Sequence, residues 1–281
     1  MSHLIRVGIQ GVRAAFHDVA ARRYFGSRGI ETLECASFKV LGQKLAGGEA
    51  DVCLMAIENS IAGSILPNYS LLETHGFKIQ GEIYLRIEME FMALPGQSID
   101  DIRVVQSHPM ALLQCEEFLA RHPSMKVLEG SDTAESAKEI RERNLLGQGA
   151  IASRLAAETY GLEILESGIE TNSHNYTRFL VICRSGDHPS ARKVDKASVR
   201  FEVADRPGCL AEVLQDFSRL EINMTKIQSV PILGRPYEYS FHVDLEWDDS
   251  GQYREGMKLL GEKVINLIHF GEYPRSERPS A

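Results

Sequence analysis

Three short segments of this sequence gather residue types that hold small anions and assist departing groups. Ile57-Glu58-Asn59-Ser60-Ile61-Ala62-Gly63-Ser64 follows an apolar run, and Gln106-Ser107-His108-Pro109 puts proline where a helix begins. Ser131-Asp132-Thr133-Ala134-Glu135 has the form of a capping box. All three read as strand-to-helix junctions, where the first backbone N–H groups lack intrahelical acceptors and the helix dipole is positive. One reading is structural: Ser60, Ser107 and Asp132 cap their helices. The other is that several such ends, gathered at the carboxyl edge of one sheet, form a cleft for carboxylate or phosphate. A fourth segment, Asn175-Tyr176-Thr177-Arg178-Phe179, leads into the apolar run Leu180-Val181-Ile182-Cys183. Its Arg178 is either an ordinary ion-pairing residue or a bidentate clamp for a carboxylate.

Other chemistries lack their residues. The nine histidines include no His-Glu-x-x-His, and the five cysteines (Cys35, Cys53, Cys115, Cys183, Cys209) include no Cys-x-x-Cys, so no metal is expected. The glycines around Gly8 and Gly11 lack the spacing of a nucleotide-binding loop. A net charge of −8 without basic clusters argues against nucleic acid as a partner. No apolar run reaches the roughly 18 residues of a membrane span, so no membrane partner is expected. The start Met1-Ser2-His3-Leu4-Ile5-Arg6-Val7 passes straight into a strand pattern, and most of the odd set of thiols sit in apolar runs. Both features point to reduced cysteines and a cytoplasmic location.

The elements that must position these residues follow from pattern. With 281 residues and about 100–200 residues per domain, two domains are expected. From Arg6 to Cys183, short β-branched runs alternate with amphipathic segments, as in βαβ units around a largely parallel sheet. Arg184-Ser185-Gly186-Asp187-His188-Pro189-Ser190-Ala191-Arg192 is polar and carries glycine and proline, which predicts a linker and domains over 1–187 and 188–281. Beyond it the pattern predicts a strand over 198–203, a helix over 208–220, strands over 224–230 and 237–247, a helix over 252–264 and a strand over 266–270. That βαββαβ order is ferredoxin-like.

Taken together, Glu58-Asn59-Ser60 with Gly63, Ser107-His108-Pro109 with Ala111-Leu112, Asp132-Thr133-Ala134, Ala150-Ile151-Ala152-Ser153 and Thr177-Arg178-Phe179 stand in the order of one family. The sequence resembles the prephenate dehydratases over almost its whole length. The resemblance implies an α/β fold: a two-lobed, periplasmic-binding-protein-like catalytic region followed by an ACT regulatory domain. It implies loss of water and carbon dioxide from prephenate to give phenylpyruvate in phenylalanine biosynthesis. Aromatisation drives that reaction, so no cofactor is implied. Thr177, Arg178 and Phe179 become the catalytic candidates, with Asn59, Ser60, Ser107, His108 and Ser153 as substrate contacts. Thr177 is expected to donate to the departing hydroxyl within a network containing Ser107, His108 or Asn59. Arg178 is expected to hold the pyruvyl carboxylate, with the departing carboxylate in a drier place near Phe179. Glu58 reads equally as scaffold or general base.

The chain departs from the family pattern in places. Gly11-Val12-Arg13-Ala14-Ala15-Phe16-His17 replaces the commoner Gly-Pro-x-Gly-Thr-Phe-Ser, so Ala15 and His17 lack the usual hydroxyls. Met110 stands for glutamine and Thr171 for aspartate. Gly63-Ser64-Ile65 with Asn68-Tyr69 also resembles arogenate dehydratases, making arogenate the alternative substrate. A sensor without chemistry is the reading from another functional class. Asp205-Arg206-Pro207-Gly208-Cys209-Leu210 resembles the ACT motif, which implies L-phenylalanine as effector and a homodimer or homotetramer. Gly208, Cys209, Leu210, Asn223 and Met224 are the implied effector contacts. Gln228-Ser229-Val230-Pro231 replaces that motif's Glu-Ser-Arg-Pro and loses both charges.

Overall fold

The computed structural model of the chain describes residues 4–187, 193–232 and 234–279. The boundary expected at 188 and the second half of the predicted linker, 188–192, lie outside the described residues. The chain forms β1 (Ile5–Gln10), α1 (Phe16–Phe25), β2 (Ile30–Cys35), α2 (Phe38–Ala46), β3 (Val52–Asn59), β4 (Gly63–Ser64), α3 (Leu66–His75) and β5 (Lys78–Arg86). Next come β6 (Glu90–Ala93), β7 (Val104–Ser107), α4 (Pro109–Gln114), α5 (Glu116–Arg121), β8 (Lys126–Glu129), α6 (Thr133–Glu142), β9 (Gln148–Ala152), α7 (Arg154–Tyr160) and β10 (Glu163–Ser167). β11 (Tyr176–Cys183) precedes β12 (Lys196–Glu202), α8 (Cys209–Arg219), β13 (Asn223–Pro231), β14 (Tyr239–Glu246), α9 (Ser250–Lys263) and β15 (Ile265–Tyr273).

Two sheets carry the first two-thirds of the chain. The first has the order β2-β1-β3-β11-β5 with β4 paired to β3, and the second the order β10-β6-β9-β7-β8. β1 runs parallel to β2 and β3, and β7 parallel to β8 and β9, as βαβ crossovers require. β6 and β10 add antiparallel to that second sheet, so it is mixed. The chain therefore leaves the first sheet after β5, builds the second, and returns through β11. This is the two-lobed arrangement. Alternation of apolar runs with helices does not single out β5, β6 or β10. β5 carries Glu82 at a buried position, and β10 is an edge strand with the polar sequence Glu-Ile-Leu-Glu-Ser. The helix expected after Pro109 is two short ones broken at Cys115, whose φ of −112° and ψ of 27° are not helical.

The last sheet has the order β13-β14-β12-β15, all antiparallel, in a βαββαβ unit. Because side chains alternate along a strand, Ala197, Val199 and Phe201 face Val213, Phe217 and Leu260 of the covering helices. The opposite face carries Lys196, Ser198, Arg200 and Glu202 beside His242, Asp244 and Glu246, and all of these are buried. What covers this face explains how the chain divides. One compact unit contains 4–68 and 83–179, and the other contains Tyr69–Glu82 with Leu180–Glu277. Lys196 is fully buried between Glu82 at 2.8 Å and Glu246 at 3.1 Å, and Arg200 meets Glu202 at 2.8 Å and Glu73 at 3.8 Å. Composition marks linkers along a chain, but not a segment such as 69–82 that packs with residues far downstream.

Buried ion pairs of this kind are costly to break from one side. Lys196→Ala removes the ammonium held between two buried carboxylates and should lower the unfolding free energy by about 3–5 kcal/mol. The triple variant Lys196→Met, Glu82→Gln, Glu246→Gln should recover most of that loss. Urea denaturation of the three proteins measures both.

Candidate active site

A cavity of about 460 Å³ lies in the first unit. One side comes from β1, α1, α2, β3 and β11 and the other from α4 and α6. Most of its wall is apolar, including Phe16, Phe38, Ile65, Ile87, Met89 and Phe179. Among its few polar groups, Thr177 and Asn59 form the best-defined pair. Asn59 Oδ1 accepts from the backbone N–H groups of Ile61 and Ala62 at 2.9 and 2.8 Å, which fixes the orientation of its amide. Its Nδ2 then donates to Asn175 Oδ1 at 2.8 Å and to Thr177 Oγ1 at 3.0 Å. Thr177 is thereby an acceptor from the protein, and its own O–H is left to donate into the cavity. A hydroxyl that already accepts a hydrogen bond is polarised towards donation. Asn175 is fully buried and passes the chain on to Gln114 Oε1 at 2.9 Å, so the network crosses from one lobe to the other.

Four helix N-termini border the cavity, that of α6 already met by the Asp132 carboxylate. Ser37, His108 and Asp132 cap α2, α4 and α6 with their side chains, whereas the N-cap of α1, Ala15, makes no side-chain cap. The first turn of α1 meets the cavity at Phe16 and His17. Among the described residues, no lysine or arginine lines this cavity. An anion bound here would be held by helix ends and neutral donors. Asp132 accepts from both Ala134 N and Glu135 N, while burial pushes its carboxyl above the usual range. Gly11 is needed beside it: its φ is +92°, and a Cβ there would sit 2.7 Å from Asp132 Oδ2.

His17 is a feature that spacing alone did not mark as functional. Its ring packs edge-on against Phe179 with centroids 4.9 Å apart, and lies 5.5 Å from Phe38. Burial pushes its pKa down to about 3, so the imidazole is neutral at neutral pH.

The structure sorts the other expected residues. Strand alternation places Thr177 and Phe179 on the cavity wall and turns Arg178 away from it. Arg178 is instead buried with its guanidinium 5.9 Å from the Tyr84 ring and 4.0 Å from Glu58 Oε2. The expectation that it clamps a carboxylate in the cleft is corrected on this ground. The segment 58–64 is no strand-to-helix junction: β3 and β4 pair as a hairpin, Glu58 with Ser64 and Asn59 with Gly63. Ser60 therefore caps no helix. Its Oγ donates to His174 O and accepts from Tyr176 N, both at 2.9 Å, fastening the turn to β11. Ser107 is fully buried and donates to Ile151 O at 2.6 Å, and His108 takes the cap position of α4. Ser153 caps α7 and donates to Ala14 O at 2.8 Å. Neither Ser107 nor Ser153 lines the cavity, because each is used in joining elements; Asn59 and His108 do line it.

In the second unit a cavity of about 320 Å³ is lined by 203–206, 208–211, 237–239 and Phe241. Tyr239 and Phe241, two residues apart on β14, give it an aromatic side. Gly208, at φ +87°, starts α8 with no side-chain cap. Gly208, Cys209 and Leu210 line this cavity, but Asn223 and Met224, on β13, do not.

Comparison with known proteins places these sites in context. Residues 7–187 match the profile of the prephenate dehydratases. The chain is 34% identical over 280 residues to the arogenate dehydratase/prephenate dehydratase 2 of Arabidopsis thaliana, covering 96% of this chain and 73% of that protein. The crystal structure of prephenate dehydratase from Arthrobacter aurescens in complex with L-Phe is 26% identical, with a TM-score of 0.86 over 99% of this chain and 92% of that one. GqqA, described as a novel type of quorum-quenching acylase, is 28% identical with a TM-score of 0.85 over 96% and 98% of the two chains.

The placement of the serines makes a clear expectation. Ser107→Ala and Ser153→Ala should each lower stability by about 1–2 kcal/mol, since each removes a buried hydrogen bond or a cap. Thermal or urea denaturation reads this directly.

Proposed function

Because this chain belongs to the prephenate dehydratase family, we propose that prephenate is its substrate and phenylpyruvate, water and carbon dioxide are its products. The observation that carries this reading is the Asn59–Thr177 pair, which leaves one polarised hydroxyl donor in a largely apolar cavity. In the reaction, the bond to the departing carboxylate breaks and its electron pair enters the ring. The ring hydroxyl departs with its bonding electron pair as that pair enters the ring, and it becomes water by taking up a proton from solvent. Thr177 O–H donates to that oxygen and offsets the charge building on it. The side-chain carboxylate is held by the uncapped end of α1 and its neighbours, where no cation is needed. An apolar wall around the other carboxylate favours its departure as a neutral gas. Hydrolysis of an amide, which the name acylase attaches to GqqA, would need an activated nucleophile. Here Thr177 Oγ1 is bonded to Asn59 and His108 Nδ1 to Met110 N.

The second cavity suits L-phenylalanine as an effector. The N–H groups at the uncapped start of α8 would meet its carboxylate, and Leu210, Tyr239 and Phe241 its ring. On this reading the βαββαβ unit is an ACT domain. β13 and β15 are its sheet edges, and pairing through such an edge would join chains into a homodimer or homotetramer. All five cysteines are unpaired and buried, which supports a reducing, cytoplasmic setting.

Prephenate and arogenate, supplied separately to the purified protein, should give rapid phenylpyruvate and little phenylalanine; the reverse preference would assign arogenate, and no product from either would reject both. Thr177→Ala should lower turnover by about 100-fold or more, and far more than Glu58→Ala or His108→Ala. L-phenylalanine added to the protein should change both its rate and its sedimentation, and no change in either would leave the C-terminal unit a purely structural one.

A further inference from the structure

His17 sits in the cavity without the partner that a buried polar group normally has. It is 8% exposed, and its Nε2 is buried with no hydrogen-bond partner among the described residues. Unsatisfied buried groups of this kind call for an explanation, since leaving one unpaired costs about 1–3 kcal/mol. The ring packs against both Phe38 and Phe179. Histidine χ2 is broad and roughly two-fold, so the ring can present either edge to the cavity without leaving this slot.

Its place relative to Thr177 says which substrate group it would meet. Phe179, the ring against which His17 packs, lies two residues beyond Thr177 on the same face of β11. Two residues of strand advance about 6.6 Å. That is comparable to the span across a six-membered ring bearing substituents at opposite carbons. In prephenate those opposite carbons carry the departing hydroxyl and the departing carboxylate. With Thr177 at the hydroxyl, the His17 end falls at the carboxylate. Charge matters at this point: a cation there would stabilise the carboxylate in the ground state and oppose its loss. A neutral imidazole orients the group without gripping it, and burial keeps His17 neutral at neutral pH.

We propose that His17 is a substrate-binding residue whose imidazole N–H donates a hydrogen bond to the ring carboxylate that leaves as carbon dioxide. The inference rests on the prephenate reading above and deepens it by assigning one end of the cavity to one end of the substrate.

Phenylpyruvate lacks the ring carboxylate, so it separates this role from general packing. His17→Phe keeps an aromatic ring in the slot and removes the donor. It should weaken binding of prephenate, read as a rise in KM, by about 10- to 100-fold, the range expected for a hydrogen bond to a charged group, and kcat should not fall in step because that charge is lost as carbon dioxide forms. Inhibition by phenylpyruvate should stay within about twofold of wild type. His17→Gln, which restores an N–H donor, should recover much of the loss. The proposal is overturned if His17→Phe keeps wild-type KM for prephenate, if it weakens phenylpyruvate as much as prephenate, or if His17→Gln is no better than His17→Phe. Should His17→Phe not fold, His17→Leu takes its place under the same criteria. A wild-type protein that does not convert prephenate would remove the functional reading itself, whereas an active wild type with an unaffected His17→Phe removes only this assignment.

Discussion

The insertion of β11 between β3 and β5 is the constraint on which the catalytic region depends. The strand comes back from the second lobe and must enter a sheet already begun by residues more than a hundred positions earlier. Asn59 and Ser60, at the end of β3, receive it. Ser60 bonds the backbone on both sides of Asn175, and the Asn59 amide reaches Asn175 and Thr177 together. The same contacts that close the sheet therefore aim the Thr177 hydroxyl. One amide thus holds both the returning strand and the Thr177 hydroxyl in place.

Around that hydroxyl, the site handles negative charge through backbone rather than cationic side chains. Helix ends bear partial charges on fixed groups, so they attract a carboxylate while undergoing no reorganisation during the reaction. An arginine in the same place would bind more strongly and also resist the loss of carbon dioxide. Arg178 is buried on the other face of β11, where it lies over Tyr84 near Glu58. The β1–α1 turn serves the same end. Ala14 and Ala15 pack in the core of the second lobe, Ser153 bonds Ala14 O, and the turn delivers His17 and the uncapped α1 end to the cavity.

The C-terminal unit solves a different problem. Its sheet has an apolar face for its own helices and a charged face that stays buried because 69–82 belongs to the same unit. Tyr69 from that segment meets the His242 ring with centroids 4.6 Å apart, and Glu82 takes the Lys196 ammonium. A polar face on a central sheet thus survives burial by being paired charge for charge, which ties a stretch early in the chain to strands more than a hundred residues later.

Much of this was legible in the residues. Alternation of β-branched runs with amphipathic segments announced the α/β character of the chain from Arg6 to Cys183, and the βαββαβ order of the last unit followed from alternation and turn residues. The ordered motifs named the family, and with it Thr177 and Asn59. Those features are local or ordered along the chain, so a sequence carries them. The tertiary structure alone decided which motif residues face the cavity. Ser107 and Ser153 belong to joints, Arg178 to the far side of its strand, and His17 to the site. The reason is physical: a side chain's role depends on which face of its strand or helix is turned to the cavity, and that is set by partners far away in sequence, such as β11 meeting Asn59.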